Sequence, residues 1–271
     1  MNNLISSHLM GGLGNQMFQI AHAYSQGLKH GRPVVFKAHS WTPLQGRDTY
    51  FYRENIFRNI NFSDQDYSFT QVSENQFNFQ NLSPAENNTI FSGYFQSSKN
   101  FFGFNEEIKK LFSPTEKFIE NVYEKYPQII SSNSVSIHMR IGDYLKNPNI
   151  HPVISKSYID RALDELVPYG HLFAFGDDKE FMRHNFIGKE VTVVDEEDWY
   201  ELWMMSLCRN NIIANSTFSW WGAFLNKNSN RKIFVPSIWF GPNGPQNYSD
   251  IFEIDWNKIN VKIDSGKLIY G

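Results

Sequence analysis

"SIHMRIGDYLKNP", residues 136–148, decides how this chain is read. Val135, Ile137 and Met139 alternate with Ser136, His138 and Arg140, the period of a strand. Gly142 then permits a tight turn that brings Asp143 back towards Arg140 and His138. On spacing alone two readings stand side by side. Arg140 and Asp143 form a structural ion pair, or the Arg fork at a strand end binds a phosphate bidentately.

The residues that follow repeat strand and helix periods. Tyr158, Ile159, Ala162, Leu163 and Leu166 recur at helical spacing, and Leu172–Phe175 reads as a buried strand. Then come a helix over Lys179–Asn185, a strand over Val191–Val194, a helix over Asp198–Cys208 and a strand over Ile212–Ala214. A helix over Phe218–Asn226 and a strand over Ile233–Val235 complete the series. Such alternation predicts βαβ crossovers and a parallel sheet covered on both faces. Upstream, Ile5–Met10, Phe18–His30 and Pro33–Phe36 start the same rhythm, which fades into an Asn-, Gln- and aromatic-rich stretch over residues 38–88. Thr89–Phe95 predicts a strand, and Glu106–Lys125 a helix broken at Pro114. The expectation is an α/β fold in two units, residues 1–130 and 131–271, joined near Pro127–Ser134.

The 271 residues are 41% hydrophobic and 16% aromatic, enough for a sizeable core and unlike a disordered chain. A net charge of −3 without a run of Lys or Arg gives nucleic-acid binding no electrostatic support. Cys208 is the only cysteine, which excludes an internal disulfide and Cys-rich zinc motifs. Neither a signal peptide nor an apolar run of spanning length is visible, so a cytoplasmic enzyme, soluble or peripheral to a membrane, is expected. Asn-x-Ser/Thr triplets at Asn61, Asn81, Asn87, Asn215 and Asn247 read as composition rather than glycosylation.

Ligands of parallel sheets collect beyond the carboxyl ends of the strands. Besides Arg140, two other segments leave strands there. "FAFGDDKEF" places Asp177 and Asp178 before a helix, either as a cap with a first-turn acid or as acceptors for a ligand's N–H groups. "IIANSTFSWWGAF" sets Ser216, Thr217 and Ser219 at a helix start, a ready anion site, with Trp220 and Trp221 read as core. The three loops should converge to hold a diphosphate without a metal. Near the N-terminus, Gly11, Gly12 and Gly14 lie between strand and helix. A dinucleotide fingerprint fails there, because Met17 stands where a small residue belongs and the next strand ends near Lys37 rather than an acid. The loop still suits close backbone approach, with Asn15 and Gln16 projecting from the helix start. Asp195–Asp198 reads as a solvated helix start, Cys208 as inert, and His8, His22 and His151 as structural.

Four stretches, "GGLGNQMFQIAHAY", "GYFQSSKNF", "IHMRIGDY" and "NSTFSWWGAFLN", together resemble glycosyltransferase family 11, the inverting α-1,2-fucosyltransferases that use GDP-L-fucose. They keep the family's order over residues 10–226. The resemblance implies a GT-B-like fold of two Rossmann-like units facing a cleft, the C-terminal unit holding the GDP-sugar and the N-terminal one on the acceptor side. It maps the β-phosphate contact to Arg140, the guanine contact to Asp177 or Asp178, and further phosphate contacts to Ser216, Thr217 and Ser219. Asn15 falls near the reacting centre, with Gly12 and Gly14 in the donor loop. The superfamily needs no metal or other cofactor.

In the implied reaction an acceptor hydroxyl displaces GDP from fucose with inversion. Arg140 and the start of the helix after Ser216 stabilise the departing diphosphate. Asp143 is a plausible base or merely orients Arg140 or His138, while Asn15 positions the nucleophile or holds the leaving oxygen. The acceptor is expected to be a galactose-terminated glycan. Tyr94, Phe95, Gln96 and the aromatics of Trp41–Tyr52 are either its platform or core. The rivals are transfer of another GDP-sugar or linkage, a glycoside hydrolase, and a nucleotide- or glycan-binding protein without catalysis.

Overall fold

The computed structural model describes residues 3–37, 39, 47–130, 133–186 and 190–271. The chain divides into two units, Met1–Ser113 with Asn247–Glu253 and Pro114–Gln246 with Ile254–Gly271.

In the first unit the named elements are β1 (Ile5–Ser7), α1 (Leu13–His30), β2 (Thr70–Ser73), β3 (Thr89–Ser92) and α2 (Asn105–Phe112). The strands form a parallel sheet of order β1-β3-β2. On its other side β1 meets a segment expected to be a full strand, Pro33–Phe36. Here it makes only single bridges, Ile5 to Val34 and Phe36 to Phe62. β1 thus has neighbours on both sides, and the loop leaving its carboxyl end departs from a topological switch point. The long helix α1 buries Met17, Phe18, Ile20 and Ala21. β3 ends at Ser92 rather than Phe95, because the amides of Tyr94 and Phe95 turn out of the sheet onto Glu74.

The predicted break at Pro114 is present. α2 stops at Phe112 and α3 (Glu116–Lys125) restarts behind Thr115, whose hydroxyl accepts the Phe118 N–H at 3.2 Å. The second unit continues with β4 (Val135–Met139), β5 (Val153–Ile154), α4 (Lys156–Asp164), β6 (Leu172–Gly176), α5 (Lys179–Asn185) and β7 (Val191–Val193). It closes with α6 (Asp198–Leu207), β8 (Asn210–Ile212), α7 (Thr217–Phe224), β9 (Ile233–Pro236), β10 (Asn257–Ile259), β11 (Val261–Asp264) and β12 (Lys267–Tyr270).

Its main sheet is parallel throughout, in the order β10-β9-β8-β4-β6-β7. Strand order reverses beside β4, so the crevice at the carboxyl ends of β4 and β8 is the switch point where ligands collect in such sheets. Both faces are covered. Ile137, Ile212 and Phe234 pack with Ile159 and Leu163 of α4. Each such buried side chain contributes about 1.5–3 kcal/mol. Trp220 and Trp221 are fully buried, as expected of core residues. A third sheet, β11-β12-β5, was not anticipated. Its hairpin turns through Ser265 and Gly266, both with positive φ, and β12 then pairs in parallel with the two-residue β5. No described helix is long and apolar enough to cross a membrane.

Candidate functional site

β4 delivers Arg140 at the switch point of the second unit, and two carboxylates fix its guanidinium. Its Nε–H donates to Asp143 Oδ1 at 2.8 Å, and its Nη1 lies 3.5 Å from Asp177 Oδ2. The Arg140 side chain remains 39% exposed, so it is oriented without being sealed. Asp177 also accepts the Ile141 and Gly142 N–H groups at 2.9 and 3.0 Å, tying the loop after β6 to the turn after β4. A Cβ at Gly142 would come within 2.9 Å of that carboxylate, so a larger residue would have to displace it from the turn. On the opposite flank Tyr144 donates its hydroxyl to the Asn215 carbonyl at 2.8 Å. The three loops singled out in the sequence therefore converge, joined through Asp177 and Tyr144.

The individual side chains sort unevenly. Asp143 is engaged as the partner of Arg140, and Asp178 caps α5 by accepting the Phe181 N–H at 2.9 Å. Ser219 is fully buried and its hydroxyl turns back to the carbonyls of Ser216 and Ala214, at 3.2 and 3.4 Å. Ser216 and the half-buried Thr217 stand at the start of α7. His138 is buried with its ring against Phe218, the centroids 5.3 Å apart. Burial, then the charges of Arg140 and Lys179, push its pKa down to about 3. It is neutral at physiological pH and too weak a base to take a proton there. The three acids of this region, Asp143, Asp177 and Asp178, each accept bonds from the loops around them.

In the first unit the Gly-rich loop follows β1. Gly11 has φ 76 and a Cβ there would lie 2.6 Å from Asn15 Nδ2. Gly12 precedes α1 with open space where a side chain would go, and Gly14 lies within its buried first turn. The loop's clamps are two glutamines: Gln16, expected to project from the helix start, is instead buried and turned back onto the loop, and Gln19 carried no expectation. Gln16 Nε2 donates to the carbonyls of Gly11 and Arg47, both at 3.0 Å. Gln19 accepts the Met10 N–H at 2.9 Å. Their three-residue spacing on the face of α1 behind a glycine loop was the available signal. Asn15 Oδ1 accepts from Gln96 Nε2 at 2.9 Å, which explains the burial of Gln96.

Phe95 is core, while Tyr94 is 37% exposed. Of the Trp41–Tyr52 stretch, Trp41 lies outside the described residues, Thr49 and Tyr52 are buried, and Tyr50 and Phe51 are exposed. Within the acidic run, Glu196 accepts from Lys125 and from the Tyr126 hydroxyl. No group of three or more His, Cys, Asp or Glu among the described residues is placed to hold a metal ion.

The sequence model of glycosyl transferase family 11 matches residues 5–260. The chain is 29% identical to the O-antigen biosynthesis glycosyltransferase WbnK of Escherichia coli, over 88% of this chain and 95% of that one. It is 27% identical to an alpha-1,2-colitosyltransferase of Escherichia coli, over 88% and 93%. Among solved structures, NodZ alpha-1,6-fucosyltransferase co-crystallized with GDP shares the fold with a TM-score of 0.54, at 14% identity over 82% of this chain and 91% of that one. The parallel α/β architecture is GT-B-like, as in that fucosyltransferase.

Proposed function

This chain belongs to glycosyl transferase family 11, and from that premise we propose that it moves L-fucose from GDP-β-L-fucose to the 2-hydroxyl of a terminal galactoside. The observation that carries this reading is Arg140, held at the switch point by Asp143 and Asp177 with one face open. A guanidinium so placed suits a diphosphate leaving group. The acceptor hydroxyl oxygen bonds to the anomeric carbon from the face opposite GDP and gives up its proton to water or to the departing diphosphate, and the C1–O bond to the β-phosphate breaks. Its electron pair passes to the phosphate oxygen, and the configuration inverts from β to α. Arg140, with the N–H groups at the start of α7, stabilises the charge gathering there.

We assign the GDP-sugar to the second unit and the acceptor to the first. Asp143 serves by orienting Arg140, and Asn15, with Gly12 and Gly14, serves the sugar-transfer step. Asp177 and Asp178 keep acceptor capacity for guanine beyond their structural bonds. The hydroxyls suited to phosphate are Ser216 and Thr217, since Ser219 is turned away. No residue here requires a metal partner for this chemistry.

The colitosyltransferase relative supports a second donor. Colitose is fucose without its 3-hydroxyl, so the same diphosphate site could serve either sugar. The test is turnover of GDP-fucose, GDP-colitose and GDP-mannose with lactose, N-acetyllactosamine and simple β-galactosides, the product linkage read by NMR. An α-1,2-linked fucosyl galactoside supports the proposal. A colitosyl product alone replaces the sugar and keeps the mechanism. Absence of transfer despite GDP binding refutes it.

A further inference from the structure

Phe95 carries φ 52, and the only other described non-glycine residue with positive φ is Ser265 in a hairpin turn. A bulky L-residue is sterically disfavoured there and persists only where its surroundings over-determine it. They do so here. Glu74, just past β2, offers one carboxylate oxygen, Oε2, to the N–H groups of Tyr94 and Phe95 at 2.8 and 3.0 Å. The Phe95 carbonyl accepts the Ser97 N–H at 2.7 Å and the Asn100 side-chain amide at 3.1 Å. Its ring is buried and stacks on His22, with centroids 4.1 Å apart and planes 6° from parallel. Gly93 makes room, since a Cβ there would sit 2.5 Å from that of Glu74. Burial raises the pKa of Glu74, against the opposing pull of the two amides, as expected for a carboxylate drawn inside to hold a turn.

The turn delivers Gln96. From a buried position its Nε2 donates to Asn15 Oδ1 at 2.9 Å. With Oδ1 occupied as acceptor, the Asn15 amide is fixed with Nδ2 turned over Gly11, where only glycine leaves space. We propose that Glu74 is a positioning residue for transfer. By holding Phe95 in its strained turn it sets Gln96, and Gln96 fixes Asn15 as an N–H donor to an oxygen of the sugar substrates, not as a base. This rests on the glycosyl-transfer reading and deepens it by naming the chemistry Asn15 supplies.

The experiment is a cycle of Glu74→Ala, Glu74→Gln, Gln96→Glu and Asn15→Ala in the full chain. Glu74→Ala should lower kcat about ten-fold or more, with donor KM within about two-fold. Glu74→Gln, whose single carbonyl oxygen can accept both amides, should recover to within about three-fold of wild type. Gln96→Glu turns the Asn15 amide the wrong way and should match Asn15→Ala without lowering Tm. In the Asn15→Ala background, Glu74→Ala should cost nothing further in kcat, because it acts through Asn15.

Losses that add, or a Glu74→Ala variant as fast as wild type, overturn the inference. If Asn15→Ala is itself as active as wild type, the role of Asn15 is wrong and the inference falls with it. Should wild type transfer no sugar, the reaction assignment fails on its own. The device is then read from the side-chain amide resonances of Asn15 in nitrogen-labelled protein. Glu74→Ala and Gln96→Glu must both shift them, and unmoved resonances overturn the inference.

Discussion

Arg140→Ala separates a ligand-binding guanidinium from a structural one, because the two roles predict different observables. The pair with Asp143 is open to water, the side chains 39% and 59% exposed, so it is worth about 0–1 kcal/mol. In a chain of this size about 1 kcal/mol moves Tm by roughly 2–4 °C, so Tm should fall by no more than about 4 °C. Asp177 keeps its bonds to the Ile141 and Gly142 amides, so the loops stay joined.

Binding should suffer far more. Hydrogen bonds to a charged group are worth about 1.5–3 kcal/mol, or roughly ten- to 150-fold in GDP affinity. The variant also leaves Asp143 and Asp177 facing the phosphates without their cation. If the same contact strengthens as the leaving group departs, kcat should drop by about 10²–10³. Arg140→Lys restores the charge but cannot reproduce the fork that holds Asp143 while presenting a second edge. It should regain Tm yet stay at or below about a tenth of the wild-type rate. Calorimetry with GDP, initial rates at saturating acceptor and thermal unfolding supply the three readings. GDP affinity and kcat both within about three-fold of wild type would refute the reasoning.

Tyr144→Phe removes the hydroxyl that reaches the buried Asn215 carbonyl. It should cost about 1–3 kcal/mol in denaturant unfolding and weaken GDP binding, since the β4 and β8 loops lose their tie. Asp178→Ala removes the cap of α5 and should cost about 1 kcal/mol, whereas Asp178→Asn keeps the cap. If Asp178 reads guanine, Asp178→Asn alone should lose the preference for GDP over UDP in competition binding while holding Tm. Gly12→Ala has open space for its methyl group, so Tm should stay within about 2 °C. Its transfer rate should fall at least about ten-fold if the backbone meets substrate there.

His22 and His138 are buried, and burial holds both pKa values down to about 3. Unfolding lets each take a proton below its ordinary 6.5, so stability falls as pH drops from 6.5 towards 3. The slope should approach about 1.4 kcal/mol per pH unit for each histidine. Replacing His138 by Gln should flatten the measured dependence by one such increment.

What could be read in advance followed from periodicity and punctuation. In the main sheet of the second unit β4 was legible from its alternation and β6 and β9 as short apolar runs, and Pro114 marked its own break. The edge strand β10 of that sheet, NKI, is short and mostly exposed and was not legible. β2 was not legible, because its sequence TQVS is polar and half exposed on an edge. β5 has two residues and becomes a strand only through β12, more than a hundred residues later. The site divided the same way. Convergence of the loops followed from topology, but the use of each side chain did not. Asp177 reaches amides that lie 35 and 36 residues away in sequence, and Ser219 turns back on carbonyls of its own helix start. Such bonds depend on backbone paths that residue type and spacing do not encode.

The most direct test of the account is a crystal structure of the protein with GDP bound. The β-phosphate should lie within about 3.2 Å of the Arg140 guanidinium, beside the start of α7. A diphosphate seated elsewhere, with Arg140 still bonded only to Asp143 and Asp177, would contradict it.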